Sequence, residues 1–349
     1  MRYLQLGHSG LKVAELCLGT MTFGEELGIG ADEGECRKVF DAYVEAGGNC
    51  FDTANIYNRG TSERMLGKFV GEDRDRYVVA TKYTLSTRPD DPNAGGSHRK
   101  NLVCSLEDSL RRLDTDYVDL YWIHGWDRRT PVGEVMRALD DQVRLGKVLH
   151  IGVSNAPAWW VATANTLAAE RGLTTFTALQ LHYNLLERSI EADFPALAAS
   201  QHMAITSWSP LAGGLLTGKF DPGSDPTGRA GARLAESPMR ARTMTDVNQE
   251  AAAGLSEIAG GLGYSPAQVA LAWQLRHREA PVIPIIGARK LAQLEENLGA
   301  TALTLESDTV ERLNALKPPP PTYPKSLLDG EFFRVMMWGQ HEADLAGTG

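Results

Sequence analysis

The constraint that bears hardest on this chain is an alternation repeated along nearly its whole length. Short apolar runs suited to buried strands take turns with longer segments whose apolar residues fall at helical spacing. Strands are expected at Ala14–Thr20, Asn49–Asp52, Tyr77–Lys82, Tyr117–His124, Val148–Ser154, Thr177–Leu181, Ala204–Trp208 and Val282–Ile285. Helices are expected at Glu33–Ala46, Ser62–Val70, Arg99–Leu113, Val132–Leu145, Ala158–Arg171, Ile190–Ser200, Asp246–Gly261 with Pro266–Arg276, and Leu291–Gly299. Strand and helix in alternation imply a parallel sheet covered by its own crossover helices. An open doubly wound sheet would be expected to carry a Gly-rich dinucleotide fingerprint after its first strand, and no G-x-G-x-x-G occurs. Eight units in 349 residues therefore predict a closed (β/α)8 TIM barrel. Met1–Gly10 alternates and turns like a small hairpin ahead of it.

Composition closes off other classes. At 43% hydrophobic and 23% charged residues the chain is an ordinary globular sequence, and a formal charge of −9 without a Lys/Arg block argues against a nucleic-acid footprint. No run approaches the ~18 consecutive apolar residues of a membrane span, and the amino terminus lacks a signal-peptide core, so no membrane role and a cytoplasmic location are expected. Cys17, Cys36, Cys50 and Cys104 show no metal or redox spacing and read as reduced packing residues; no metal site is expected. Two stretches depart from the repeat. Residues 220–245 are polar, Pro/Gly-broken and Arg-rich, and form a long loop at the strand-end face. Pro318–Pro321 separates a barrel spanning residues 1–317 from a tail, 318–349, whose Phe332–Trp338 patch is expected to pack on this barrel, with a partner surface as the alternative.

Barrel strands converge at their carboxyl ends, so Asp52, Lys82 and His124, together with Tyr57 in the loop after Asp52, are expected as neighbours. Singly, each suits a structural role: a loop cap, a half-buried aromatic, a snorkelling lysine, a core histidine. Jointly, four ionisable groups at one face are hard to explain by packing, because buried charges are costly unless paired. A phenol is a poor acid at neutral pH unless a cation sits beside it. Lys82 can supply the charge, Asp52 can hold the Lys, and His124 can donate to a substrate oxygen. Such a set suits protonation of a carbonyl oxygen as it becomes an alkoxide.

These residues resemble the aldo-keto reductase family, over Leu4 to about Leu316. Phe51-Asp52-Thr53-Ala54-x-x-Tyr57-x-x-Gly60-x-Ser62-Glu63-x-x-Leu66-Gly67 is similar to that family's first signature; Asp119–His124 and Gly152–Asn155 resemble its fourth and fifth strand motifs. The resemblance implies NADPH-dependent reduction of an aldehyde or ketone, with Tyr57 as proton donor, Asp52 and Lys82 tuning it, and His124 orienting the carbonyl. It also implies cofactor contacts. Gly19 and Thr20 would lie at the nicotinamide end; Ser154, Asn155 and Gln180 would hold the carboxamide. Trp208, where the family commonly has Tyr, would stack on the nicotinamide within Ser207-Trp208-Ser209-Pro210-Leu211. Leu211, Gly213, Leu215 and Lys219 would cross the pyrophosphate, and Gly287, Ala288, Arg289, Gln293, Glu296 and Asn297 would meet the adenosine half, with a helix start at Gly287–Arg289 favouring phosphate.

Gly213-Gly214-Leu215-Leu216-Thr217-Gly218-Lys219 matches seven positions of a P-loop, but Phe220 replaces the Ser/Thr that would bind Mg²⁺, and Asp221-Pro222-Gly223 does not open a helix. Nucleotide triphosphate binding is therefore not expected. Phe23, Tyr57, Trp126 and the long loop are expected to line a pocket for aromatic or apolar carbonyls, with keto sugars also open; the physiological substrate and homo-oligomer formation stay open too. Two other functions compete. Relatives of these reductases serve as cytoplasmic subunits of potassium channels, which turnover of any aldehyde would separate; a Schiff-base barrel using Lys82 would be revealed by borohydride trapping.

Overall fold

The computed structural model describes residues 1–221, 240–276 and 280–339. Strands β1 (Tyr3–Gln5) and β2 (Lys12–Ala14) pair antiparallel as a hairpin. Strands β3 (Cys17–Gly19), β4 (Cys50–Asp52), β5 (Val78–Tyr83), β6 (Val118–Ile123), β7 (Val148–Ser154), β8 (Ala178–His182), β9 (Ala204–Trp208) and β10 (Val282–Ile286) form a closed parallel barrel, in which β10 returns to pair with β3. The fold is thus a (β/α)8 barrel with an N-terminal hairpin, as the alternation predicts. Helices α1 (Glu33–Glu45), α2 (Thr61–Val70), α3 (Arg99–Leu113), α4 (Val132–Arg144), α5 (Ala158–Glu170) and α6 (Phe194–Ser200) follow β3 to β8 in turn. Asp246–Leu262 and Pro266–Leu275 follow β9; Leu291–Leu298 and Ser307–Leu316 follow β10.

The barrel strands are largely buried on both sides because their two faces meet different apolar sets. Inward-facing Cys17, Cys50, Val78, Ala80, Leu120, Trp122, Ala178, Ala204, Ile283 and Ile285 fill the barrel, and Leu6 and Val13 of the hairpin segment join them. Trp122 is the largest fully buried side chain, and it fits because residue 152 on the neighbouring strand is Gly: a Cβ there would run into the indole ring. Outward-facing residues pack under the helices, where Phe51 stacks on Phe40 of α1 with centroids 4.8 Å apart and meets Tyr43 edge-on. Burying each such ring contributes about 1.5–3 kcal/mol. The inner filling closes the amino-terminal end and leaves the carboxyl-terminal mouth as the place for a ligand.

Expectation and structure differ at one helix. The helix expected at Ile190–Ser200 is a 3₁₀ turn, Ser189–Ala192, followed by α6, because Pro195 fixes the start of a new helix and Asp193 before it is non-helical at φ −133°. In the tail, Lys325–Leu328 and Glu331–Trp338 are helical, yet none of their residues is buried; Phe332 is 75% and Trp338 52% exposed. The proline run fixes φ at four successive positions and removes four donors, so the chain leaves Ser307–Leu316 extended rather than folding straight back. Most of the 220–245 loop lies outside the described residues. No described helix is long and apolar enough to cross a membrane.

Candidate active site

The loop that follows β4 is held open by a buried asparagine. Asn58 and Arg59 adopt positive φ, 43° and 52°, a conformation that costs a non-glycine residue energy. Asn58 offsets it with its amide: Nδ2 donates to the Met21 and Phe23 carbonyls, both at 2.9 Å, and Oδ1 accepts from Leu27 N at 3.0 Å. The next residues of the motif are also structural. Ser62 Oγ lies 2.8 Å from both Thr20 and Thr53 hydroxyls, and buried Glu63 accepts from Thr81 Oγ1 and Arg112 Nε, each at 2.6 Å. Together they fix where Tyr57 stands relative to β4 and β5.

Lys82, fully buried at the end of β5, donates to Asp52 Oδ2, to the Thr53 carbonyl at 2.8 Å and to Tyr57 Oη at 3.2 Å. Its three ammonium donors are thus all used, which is what keeps a buried cation tolerable. Burial by itself pushes the ammonium toward its neutral form; the Asp52 carboxylate, then Tyr57, outweigh this and leave its pKa above the ordinary lysine value. Asp52 Oδ1 accepts from Gln180 Nε2 at 2.9 Å. The His124 ring meets Tyr57 edge-on with centroids 5.9 Å apart, and its Nδ1 has no partner among the described residues. Burial, assisted by the Lys82 charge, pushes the His124 pKa down to about 3, so the ring is neutral at physiological pH and keeps one N–H donor.

This depression has a measurable consequence. As pH falls through ~6.5 the unfolded ring takes a proton and the folded ring does not, so stability is lost from there down to about pH 3. At pH 5 the loss attributable to His124 is about 1–2 kcal/mol relative to pH 7.5. Urea midpoints at the two pH values check it: His124→Gln should lose less stability on acidification than the parent, and an unchanged acid slope would contradict the assignment.

Asp52, Tyr57 and His124 open into a cavity of about 800 Å³. Gly19, Ser154, Asn155 and Gln180 line it, as do Trp208, Ser209, Pro210, Leu211, Gly213 and Lys219 after β9. Gly287, Ala288, Arg289, Gln293, Glu296 and Asn297 line it after β10. Five expected residues do not, the first being Lys82, fully buried behind Asp52 and Tyr57. Thr20 is buried beneath the floor, its hydroxyl engaged with Ser62 and the Asp52 carbonyl. Leu215 is buried in the core under its loop. Phe23 is a correction: its ring is fully buried in the core cluster, edge-on to Phe69 at 5.9 Å, while its neighbours Met21 and Thr22 reach the cavity. Trp126 lies outside the lining, edge-on to Trp159. The expected phosphate-favouring main chain is also altered, since the Arg289 N–H donates to Gln293 Oε1 at 2.9 Å.

Sequence reasoning missed the support behind Trp208. His182, at the end of β8, stacks on the indole with centroids 4.0 Å apart and planes 7° from parallel, and Trp208 Nε1 donates to Asn155 Oδ1 at 3.1 Å. Behind the next residues, Gln274 accepts from Ser207 Oγ at 2.5 Å and donates to the Pro210 carbonyl at 3.1 Å. The signal available in the sequence was position: His182 closes a barrel strand, as Lys82 and His124 nearly do. The lining is rich in cations for a chain of net charge −9. Lys219, Arg289 and Lys290 face two carboxylates, Asp52 and Glu296, of which Asp52 is committed to Lys82. A long cleft with a neutral histidine, a cation-backed phenol and basic residues suits a large anionic ligand lying beside a small polarised one.

Comparison with known proteins decides the family. The model of the aldo/keto reductase family matches residues 15–318. The chain belongs to the aldo/keto reductase family. It is 34% identical over 332 residues to norsolorinic acid reductase of Aspergillus flavus, covering 92% of this chain and 82% of that one. It is 36% identical over 334 residues to the uncharacterized oxidoreductase YrpG of Bacillus subtilis, covering 92% and 97%. An aryl-alcohol dehydrogenase [NADP(+)] of Phanerodontia chrysosporium is 33% identical over 344 residues, covering 94% and 89%. As a member of the aldo/keto reductase family the chain is an oxidoreductase, and its family and relatives support carbonyl reduction as its reaction class.

Proposed function

We propose that the protein reduces an aldehyde or ketone to the alcohol using NADPH. The observation that carries the proposal is Lys82 Nζ, buried between Asp52 and the Tyr57 hydroxyl, two groups that line the cavity. When bound, the nicotinamide supplies hydride, which is the cofactor's own chemistry. The residues fit it: Gln180 gives its amide N–H to Asp52 and keeps its oxygen for a carboxamide donor, Ser154 lines the same wall, and the indole of Trp208 offers a flat apolar face whose back is braced by His182. That one relative's name specifies NADP(+) supports the same choice.

Tyr57 is the proton donor in this account. The substrate oxygen sits between Tyr57 Oη and the His124 N–H, which orients it. As negative charge develops on that oxygen, the phenolic proton moves to it, and Lys82 at 3.2 Å stabilises the phenolate left behind. Asp52 keeps Lys82 in place and charged. The test is NADPH consumption against aryl aldehydes, aliphatic aldehydes and keto sugars; turnover is expected with the aryl members, whose relatives' names include aryl-alcohol dehydrogenases. NADPH binding with no turnover of any carbonyl would instead favour a cofactor-binding regulatory protein.

Coenzyme choice rests on Arg289. Arg289 lines the cavity, and its guanidinium is a planar fork that can meet a 2′-phosphate bidentately, a dianion that NADH lacks. Such charged hydrogen bonds contribute about 1.5–3 kcal/mol, so Arg289→Ala should weaken NADPH roughly 10–100-fold and leave NADH nearly unchanged. Titrating both coenzymes against both proteins checks this; equal losses would show that Arg289 holds the adenine or the fold.

A further inference from the structure

Just outside the cavity rim, the loop after β6 and the start of α5 bring together two tryptophans and two arginines. Trp126 N donates to the Asn155 carbonyl at 3.4 Å, which ties this loop to a residue that lines the cavity. Its indole meets that of Trp159 edge-on, at 5.6 Å and 90°. Trp159, second residue of α5, is 61% exposed, a costly place for an indole that supports no core. Arg128 lies over the Trp126 ring at 5.8 Å and is held in the left-handed region, φ 62°. That conformation is set by Asp127, whose carboxylate accepts from Ser97 N, Arg129 N, Thr130 N and Thr130 Oγ1 at 2.7, 3.0, 3.0 and 2.5 Å. Asp127 is thereby satisfied by local donors, and neither Arg128 nor Arg129 has an ion-pair partner among the described residues. An acidic chain thus presents an aromatic face and two exposed cations at the catalytic mouth.

Resting on the carbonyl-reductase reading of the cavity, we propose that this surface is an outer substrate subsite, and that its occupant is the distal ring of an extended aryl carbonyl bearing an anionic group such as a carboxylate. The ring stacks on Trp159, and the anion meets Arg128, with Arg129 beside it. Trp126 follows His124 by two residues, so the subsite begins within roughly 7 Å of the histidine backbone, about one ring beyond the reacting carbonyl. A single-ring aldehyde is too short to use it; a two-ring substrate reaches it.

The test uses 4′-formylbiphenyl-4-carboxylate, its methyl ester and benzaldehyde as substrates, with full-length protein and NADPH. An exposed cation contributes modestly, so the carboxylate should have a KM about two- to fivefold below that of the ester, and Arg128→Gln should erase that difference while leaving the ester and kcat unchanged. Trp159→Ala should raise KM for both biphenyls about three- to tenfold and leave benzaldehyde untouched. Equal effects on all three substrates, or none, would overturn the subsite while the reductase reading stands. Calorimetric binding of biphenyl-4-carboxylate to the protein with NADP⁺ needs no turnover: weaker binding in both variants supports the subsite even if the carbonyl-reductase reading fails, and unchanged binding overturns it.

Discussion

Tyr57→Phe should lower carbonyl reduction by ~10²–10⁴-fold while leaving NADPH affinity within about twofold, because it removes one oxygen and nothing that holds the fold. The phenol's role as an acid depends on its setting. Its hydroxyl accepts from Lys82 at 3.2 Å, and its ring is bracketed by His124 and by the ammonium, which lies 4.7 Å from the ring centroid. Phe keeps both ring contacts, so the cavity should retain its shape. His124 cannot replace the acid, because a ring whose pKa is held at about 3 is neutral at assay pH. Steady-state rates with an aryl aldehyde, paired with a cofactor titration, measure both quantities. A loss of less than tenfold in kcat would remove Tyr57 from the proton-transfer step.

Lys82→Met should be as damaging to turnover and, unlike Tyr57→Phe, damaging to stability. The thioether approximates the length of the lysine stem but gives no charge, so Asp52 would be left buried with Gln180 as its side-chain partner. Removing one partner of a buried pair costs roughly 3–5 kcal/mol, because the remaining charge is uncompensated. Pairing it with Asp52→Asn should restore much of that stability, since no buried charge then remains, without restoring activity. A double-mutant cycle in urea separates the two effects: additive losses would show that the two side chains do not depend on each other, contrary to their contact.

The barrel was legible because its cause is periodic. Apolar strands such as Val148–Ser154 and amphipathic helices such as Arg99–Leu113 fall at the predicted bounds, since burial on both faces, or on one stripe, writes itself into consecutive residues. The strand-end residues Asp52, Lys82 and His124 were legible for the same reason: once the strands are placed, their carboxyl ends follow. Side-chain direction within loops was not. Phe23 and Met21 sit in one turn whose carbonyls are both held by Asn58, more than thirty positions away, and spacing along the chain does not say which of the two side chains faces the cavity. Nor could spacing show that His182 would stack on Trp208 or that Gln293 would occupy the Arg289 N–H, because both depend on contacts made only when the barrel closes. For the tail helix Glu331–Trp338, an apolar pattern says that a face can be buried, not what it will be buried against.

The central claim is that this cavity moves a hydride to a carbonyl carbon and a proton from Tyr57 to its oxygen. The most direct measurement uses NADPH deuterated at the transferable C4 position with an aryl aldehyde, followed by mass spectrometry of the product. The account predicts an alcohol carrying one deuterium at the carbinol carbon for each NADPH oxidised, and nearly none from Tyr57→Phe in the same time. Aldehyde left unreduced while NADPH is bound, or an alcohol without deuterium, would contradict it.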